Sequence, residues 1–286
     1  MSDESRILID DPAPCVRRLT LNRPAKRNAL DNRLRAELFA ALEAADRDEA
    51  IRVSIVRGAG KCFSAGYDLS SNNAVDQPYY TPGGAAQWPR HVVQGWFSIW
   101  DLQKPVIAQV HGYCLAGGSE LATACDLVYV ADDARIGYPA VRLMSAPDMQ
   151  FHPWLMGLRH GMEMMLTGDA ISGEEAARTG FANRAYPAER LDQEVLAIAE
   201  RVAKIPPDLQ ALNKRSAHQA MEVMGLRAAI RAGAQIQALG FHQPSARAYL
   251  KSLMEKPLTE ALSDRDRSFG DYRTTKEGPE EGSTES

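Results

Sequence analysis

VIAQVHGYCLAGGSELATACD, Val106 to Asp126, is the stretch on which the fold turns. VIAQV is short, apolar and bounded by turn residues, as strands buried on both faces are. The pair Gly117 and Gly118 then opens a helix, SELATA, whose first N–H groups have no intrahelical partner. LVYVA, directly after Asp126, reads as another buried strand.

Working outward, the same grammar recurs. SIVRG at Ser54 to Gly58 is a buried strand feeding the turn GAGKCFSAGYDL, where Gly66 allows a close approach of backbone to ligand. Either turn alone is an ordinary strand-to-helix connection. Backbone donors from both, aimed at one point, would stabilise a developing oxyanion, with one donor contributing roughly 3 to 4 kcal/mol in known cases. A helix N-terminus adds its dipole.

Val16 to Leu21 is a strand, and DNRLRAELFAALEAADRD from Asp31 is a helix with an Asp cap. SSNNAVDQPYYTPGGAAQWP, Ser70 to Pro89, is polar, rich in Pro and Gly and aperiodic, which suggests a mobile loop near the site. ARIGYP adds a short strand. From Phe151 onward amphipathic helices separated by Gly or Pro dominate, and the acidic segment 274–286 reads as a disordered tail. The implied class is α/β with a helical C-terminal part.

The 286 residues, 45% hydrophobic, can bury a substantial core. A net charge of −4 offers no basic field, so nucleic acid and anionic membrane are not expected partners. The acidic start MSDESRILIDD has no leader character and no run is long enough to span a membrane, so a cytoplasmic location is expected. Cys15, Cys62, Cys114 and Cys125 form no CxxC pair and read as buried thiols, with neither metal ligation nor disulfides expected. Ser64 and Ser119 lack the GxSxG elbow, and neither a GxxxxGK[ST] phosphate loop nor a GxGxxG fingerprint is present.

With LNRPAKRNAL (Leu21–Leu30), GKCFSAGYDL (Gly60–Leu69), HGYCLAGGSELATACD (His111–Asp126) and LTGDAISGEEAARTGFANRAYP (Leu166–Pro187) in this order, the chain resembles the crotonase (enoyl-CoA hydratase/isomerase) superfamily from about residue 6 to 273. The resemblance implies an α/β crotonase (ClpP-like) spiral of ββα units, spanning residues 1–205. It further implies a C-terminal helical trimerisation region over 206–273 and a homotrimer or dimer of trimers. The substrate would be an acyl-CoA thioester, with no cofactor beyond the coenzyme A it carries. Its carbonyl would be held by the backbone N–H groups of Tyr67 and Gly117. Asp68, Leu69 and Ser70 would lie along the CoA and Ala65 near its adenine, with Arg23, Lys26 and Lys61 facing phosphates. Where Lys is common near the C-terminus stands Gly270, leaving Arg267 or Arg273 as substitutes.

Hydratases of this family move protons with two glutamates. The first matches Glu120, which could also be read simply as a first-turn Glu complementing the helix dipole. The second would follow Pro139, where the sequence has Ala140. Eight positions on, Asp148 falls where the dienoyl-CoA isomerases and the chlorobenzoyl-CoA dehalogenase carry a working aspartate; it is equally a candidate helix N-cap. Arg142 and His152 lie nearby in sequence. Three readings stay open here: a lyase or isomerase using Glu120 and Asp148, an acyl-CoA hydrolase acting on a thioester or C–C bond, and a non-catalytic acyl-CoA-binding protein.

Overall fold

The chain begins with an antiparallel pair, β1 (Ile7–Ala13) and β2 (Val16–Leu21), which reverses at Cys15, a residue with φ of 64°. The computed structural model describes residues 4–72, 75–84, 86–143 and 151–270. A 3-10 turn, Pro24–Lys26, leads to α1 (Asn32–Arg47), whose cap is the Asp31 carboxylate accepting from Leu34 N–H at 2.8 Å. Leu34, Leu38, Leu42 and Ala45 repeat at helical spacing and are buried against the sheet. Next come β3 (Val53–Gly58) and α2 (Gln87–Trp100).

The decisive stretch then forms β4 (Val106–Val110), buried at every residue, β5 (Tyr113–Leu115) and α3 (Gly117–Ala124). It is followed by β6 (Leu127–Ala131), β7 (Arg135–Gly137) and a second 3-10 turn, Pro139–Arg142. The remainder is α4 (Phe151–Thr167), β8 (Ala170–Ser172), α5 (Gly173–Thr179), β9 (Arg184–Tyr186), α6 (Leu191–Val202), α7 (Pro207–Val223), α8 (Leu226–Gly240), α9 (Pro244–Glu255) and α10 (Leu258–Asp266). One sheet runs β1-β2-β3-β4-β6-β9 and is parallel from β2 onward; a smaller one runs β5-β7-β8.

The chain steps from the large sheet to the small one after β4 and again after β6, so that strand, short strand and helix recur as the ββα expectation requires. The first step turns at Gly112, with φ of 56°, where a Cβ would lie 2.1 Å from the Lys61 carbonyl oxygen. Asp126, the last residue of the motif, caps the next step: its carboxylate accepts from Val106 N–H at 2.7 Å and from Lys214 Nζ at 2.9 Å, docking α7 on the core.

Two expectations change. The segment Ser70–Pro89 is not loop throughout, because Gln87, Trp88 and Pro89 form the first turn of α2, where proline costs no hydrogen bond. Its stretch 75–84 is also anchored: Tyr79 donates to the His91 carbonyl, Arg35 donates to the Tyr79 oxygen at 3.4 Å, and Thr81 Oγ1 meets His91 Nδ1 at 2.8 Å. Asp148, Arg273 and the acidic segment 274–286 lie outside the described residues.

Candidate active site

The two glycine turns meet. Leu30 N–H donates to the Gly66 carbonyl at 2.8 Å and Asp68 N–H to the Leu30 carbonyl at 3.1 Å, which fixes Tyr67 between them. Across the gap, Leu115 N–H donates to the Ser64 carbonyl at 3.0 Å. A Cβ on Gly66 would stand 3.3 Å from the Gly117 nitrogen, and one on Gly118 would stand 2.6 Å from the Ser64 oxygen. Larger residues would therefore push the turns apart. Between them Ala116 holds φ 47° and ψ −119°, a conformation rare for a residue with a side chain and costing roughly 1–3 kcal/mol. It is locked by its N–H to the Gly137 carbonyl at 2.9 Å and by Ser119 Oγ and Glu120 N–H on its own carbonyl. Strain held in this way fixes the start of α3 beside the turn that carries Tyr67.

Glu120, one turn into α3, is wholly buried. Its Oε2 accepts from the Tyr67 hydroxyl at 2.5 Å and from Trp96 Nε1 at 3.0 Å, and its Oε1 accepts from the Tyr138 hydroxyl. Trp96 Nε1 also lies 3.2 Å from the Tyr67 oxygen. Burial pushes the Glu120 carboxyl up; the hydrogen bonds from Tyr138, Tyr67 and Trp96 and the charge of Arg35 pull it back only in part, so it stays above the ordinary glutamate value. A carboxyl so placed exchanges protons nearer neutral pH than a solvated one.

Tyr67 and Tyr138 open onto a cavity of about 750 Å³, within the usual range for small-molecule sites. One side is built from Lys26, Arg27, Ala65, Asp68, Leu69 and Ser70. Pro139 and Ala140 form part of the floor, so the position where a second glutamate was sought does face this space and carries only a methyl group. The far wall comes from the C-terminal helices: Leu250, Leu253 and Met254 of α9, and Leu258 and Leu262 of α10.

Arg142 ties that wall to the floor. Its buried guanidinium binds Asp266 at 3.1 Å, Asp169 at 2.8 Å and the Thr167 carbonyl at 3.0 Å, with the Phe269 ring 3.9 Å away. Asp266 is also held by Arg265. His152 is buried under α3, with Nε2 3.2 Å from Ser119 Oγ and its ring edge-on to Tyr138, behind the cavity surface. Lys61 is exposed and is not among the described residues lining the cavity.

Arg23 faces the Asp68 loop and not the cavity: it binds Asp68 at 2.9 Å, Asp31 at 3.2 Å and the Ala29 carbonyl at 2.5 Å. Asp68 in turn accepts from Ser70 N–H and Oγ. Burial raises its carboxyl, but the bonds from Ser70 and Arg23 outweigh that and hold it below the ordinary value. Asn28, which sequence reasoning passed over, clamps the same motif. Its Nδ2 donates to the carbonyls of Ala59 and Cys62, and its Oδ1 accepts from Arg23 N–H. Arg27, on the cavity edge, also escaped notice, as did Tyr138; Trp96 is legible in the sequence as a pocket-shaping aromatic but not as a partner of Glu120, because no spacing signal links the two.

Cys62, Cys114 and Cys125 are buried free thiols and Cys15 is half-buried. Among the described residues no helix is long and apolar enough to cross a membrane, and no group of three or more His, Cys, Asp or Glu could hold a metal ion.

Residues 13–260 match the family model for enoyl-CoA hydratase/isomerase. The protein EchA13 of Mycobacterium tuberculosis is 36% identical over 237 residues, covering 74% of this chain and 73% of its own. The 2,3-dehydroadipyl-CoA hydratase of Escherichia coli is 34% identical over 208 residues, covering 72% and 79%. The solved structure of an enoyl-CoA hydratase/isomerase from Xanthobacter autotrophicus superposes with a TM-score of 0.84 at 34% identity, over 93% of this chain and 98% of that one. Glycine turns, strained Ala116 and helix-borne glutamate are thus set in a framework that agrees with these relatives over most of its length, and the chain belongs to the enoyl-CoA hydratase/isomerase family of the crotonase superfamily.

Proposed function

We propose that the protein adds water to a 2-enoyl-CoA thioester or shifts its double bond, passing through an enolate whose oxygen is held by the backbone N–H groups of Tyr67 and Gly117. Family membership makes it an acyl-CoA-processing enzyme of the crotonase type. The observation that carries the finer reading is Glu120: buried, raised in pKa and bonded to two hydroxyls that line the cavity beside the paired glycine turns. A proton carrier beside an oxyanion site is what abstraction or delivery at the carbon next to a thioester requires.

Because Ala140 cannot move a proton, the two-glutamate route is closed, and Asp148 is the proposed second carboxylate of the acid–base pair, orienting the attacking water or the shifting chain while the proton itself passes through Glu120. Lys26, with Arg27 beside it, is proposed to meet the CoA phosphates at the cavity mouth, Asp68 to Ser70 and Ala65 to follow the CoA, and Arg23 to hold that loop in shape. Exposed Leu209, Leu212, Ile236 and Leu239 on α7 and α8 support assembly as a trimer through the C-terminal helices.

The test is turnover of a panel of straight-chain 2-enoyl- and dienoyl-CoAs, followed by loss of the conjugated thioester absorbance. Glu120→Gln and Asp148→Asn are each expected to lower kcat by roughly 10²-fold or more. Wild-type turnover that neither change affects would refute these roles.

A further inference from the structure

Glu120 has no exposed surface and is not among the described residues lining the cavity, whereas the two phenols bonded to it are. Any proton travelling between this carboxylate and a molecule in the cavity has to cross a phenolic oxygen. We infer that Tyr67 is a catalytic residue in its own right, relaying the proton between Glu120 and the reacting acyl group.

Three observations favour Tyr67 over Tyr138. Tyr67 is half-buried, whereas Tyr138 is almost fully buried. The Tyr67 ring lies across the oxyanion turn, so close that a Cβ on Gly117 would stand 2.7 Å from its Cε2 and 2.8 Å from its Cζ. Its ring and the hydroxyl-bearing carbon therefore border Gly117, whose N–H is proposed to hold the thioester oxygen. Finally, Trp96 Nε1 approaches the Tyr67 oxygen at 3.2 Å while the hydroxyl points at Glu120. That indole stabilises negative charge on the phenolic oxygen during transfer, and Trp88, edge-on at a centroid distance of 5.5 Å, holds the ring.

A phenol both donates and accepts, so it can take one proton while giving another away. In hydration, the water O–H bond breaks as its oxygen bonds to C3, and the proton passes to the Tyr67 oxygen. The Tyr67 proton passes to Glu120, and the C2=C3 pair moves into the enolate. The return is the reverse: Glu120 gives its proton back to Tyr67 and Tyr67 gives one to C2. One water is added, and both residues end as they began. For a double-bond shift, the first proton comes from carbon instead of water and the same two transfers return it at the other end. Tyr67 would then serve twice, by its N–H for the oxygen and by its hydroxyl for the proton.

This inference rests on the enoyl-CoA reading, and the experiment separates the two. Full-length wild type, Tyr67→Phe and Tyr138→Phe are assayed on the same enoyl-CoA panel, with calorimetric binding of a saturated acyl-CoA to show that each site is intact. No wild-type turnover of any substrate would overturn the enoyl-CoA reading and the relay with it. Given wild-type turnover, Tyr67→Phe is expected to lose about 10²-fold or more in kcat with KM little changed. A kcat within about threefold of wild type, or a larger loss in Tyr138→Phe than in Tyr67→Phe, would overturn the relay and leave the enoyl-CoA reading intact. A ring that merely positions Glu120 would not respond to the acidity of its hydroxyl. Replacing Tyr67 by 3-fluorotyrosine, which keeps the hydroxyl and makes it more acidic, is therefore expected to move the alkaline limb of the kcat–pH profile to lower pH. An unmoved limb would overturn the relay even if Tyr67→Phe failed to fold.

Discussion

Adding one methyl group at position 117 tests the geometry of the whole site. Gly117 does not adopt positive φ, so Gly117→Ala is permitted by the backbone, and the obstacle is the neighbouring ring. The new Cβ would meet three Tyr67 ring carbons at 2.7, 2.8 and 2.9 Å. Carbon atoms settle at about 3.5–4.0 Å, so the ring has to retreat by roughly 1 Å. Retreat stretches the 2.5 Å bond from Tyr67 to Glu120 toward the limit of a useful hydrogen bond and drags the Tyr67 N–H off its aim. Overpacking of this kind costs about 1–3 kcal/mol, and a misplacement near 1 Å costs on the order of 10²-fold in rate. The assay is a double-mutant cycle with Tyr67→Ala, read by guanidinium unfolding and by turnover. With the ring gone, the added stability cost of Gly117→Ala is expected to fall by at least about 1 kcal/mol, since the three atoms nearest the Cβ all belong to that ring. Additive costs, or a Gly117→Ala enzyme within about twofold of wild-type kcat, would refute the contact and the placement of both groups.

Glu120→Gln is expected to stabilise the fold while it removes activity. A carboxyl whose folded pKa is raised loses stability as pH rises between its ordinary and its folded value, and the amide escapes that penalty; a lower melting temperature at pH 7 would contradict this. His91 gives the opposite slope. Burial, and next the charge of Arg35, lower it from 6.5 to about 4, so the unfolded chain binds the extra proton and stability falls as pH drops from about 6.5 to 4, by up to about 3 kcal/mol. His91→Phe should flatten the unfolding free energy over that window, and an unchanged slope would assign it to other groups. Asp266→Asn removes the carboxylate beside buried Arg265 and one of the two on Arg142, which keeps Asp169, a loss of up to about 3 kcal/mol focused on α10. Faster hydrogen exchange in Leu258–Asp266 and a raised KM at nearly constant kcat are expected; normal exchange protection there would refute the role of this pair.

Much of the scaffold was legible because it is locally encoded. The β-branched runs became buried strands, Asp31 capped the helix it precedes, and the glycine turns announced themselves by residues that no side chain could replace. Glu120 was visible for the same reason, being one turn into a helix that a glycine pair opens. What stayed hidden depends on encounters between distant segments. Tyr67, Trp96 and Tyr138 reach Glu120 from separations of 53, 24 and 18 residues, and no periodicity joins them. Arg23 looked like a phosphate cation because its partners, Asp31 and Asp68, are brought to it only by the fold. The start of α2 was masked by the Pro/Gly-rich run before it, although Trp88 and Trp96, two turns apart, already marked one helix face.

The cavity wall drawn from α9 and α10 has a consequence for how the enzyme comes into being. Ribosomes release a chain from its N-terminus at about 5–20 residues per second. The residues of both sheets, the glycine turns and Glu120 have therefore all been made while Leu250 to Leu262 have not. Without those residues the cavity would lack its far wall and lie open to water on that side. Enclosure of the cavity therefore waits on α9 and α10, which are made only after every residue that bonds Glu120.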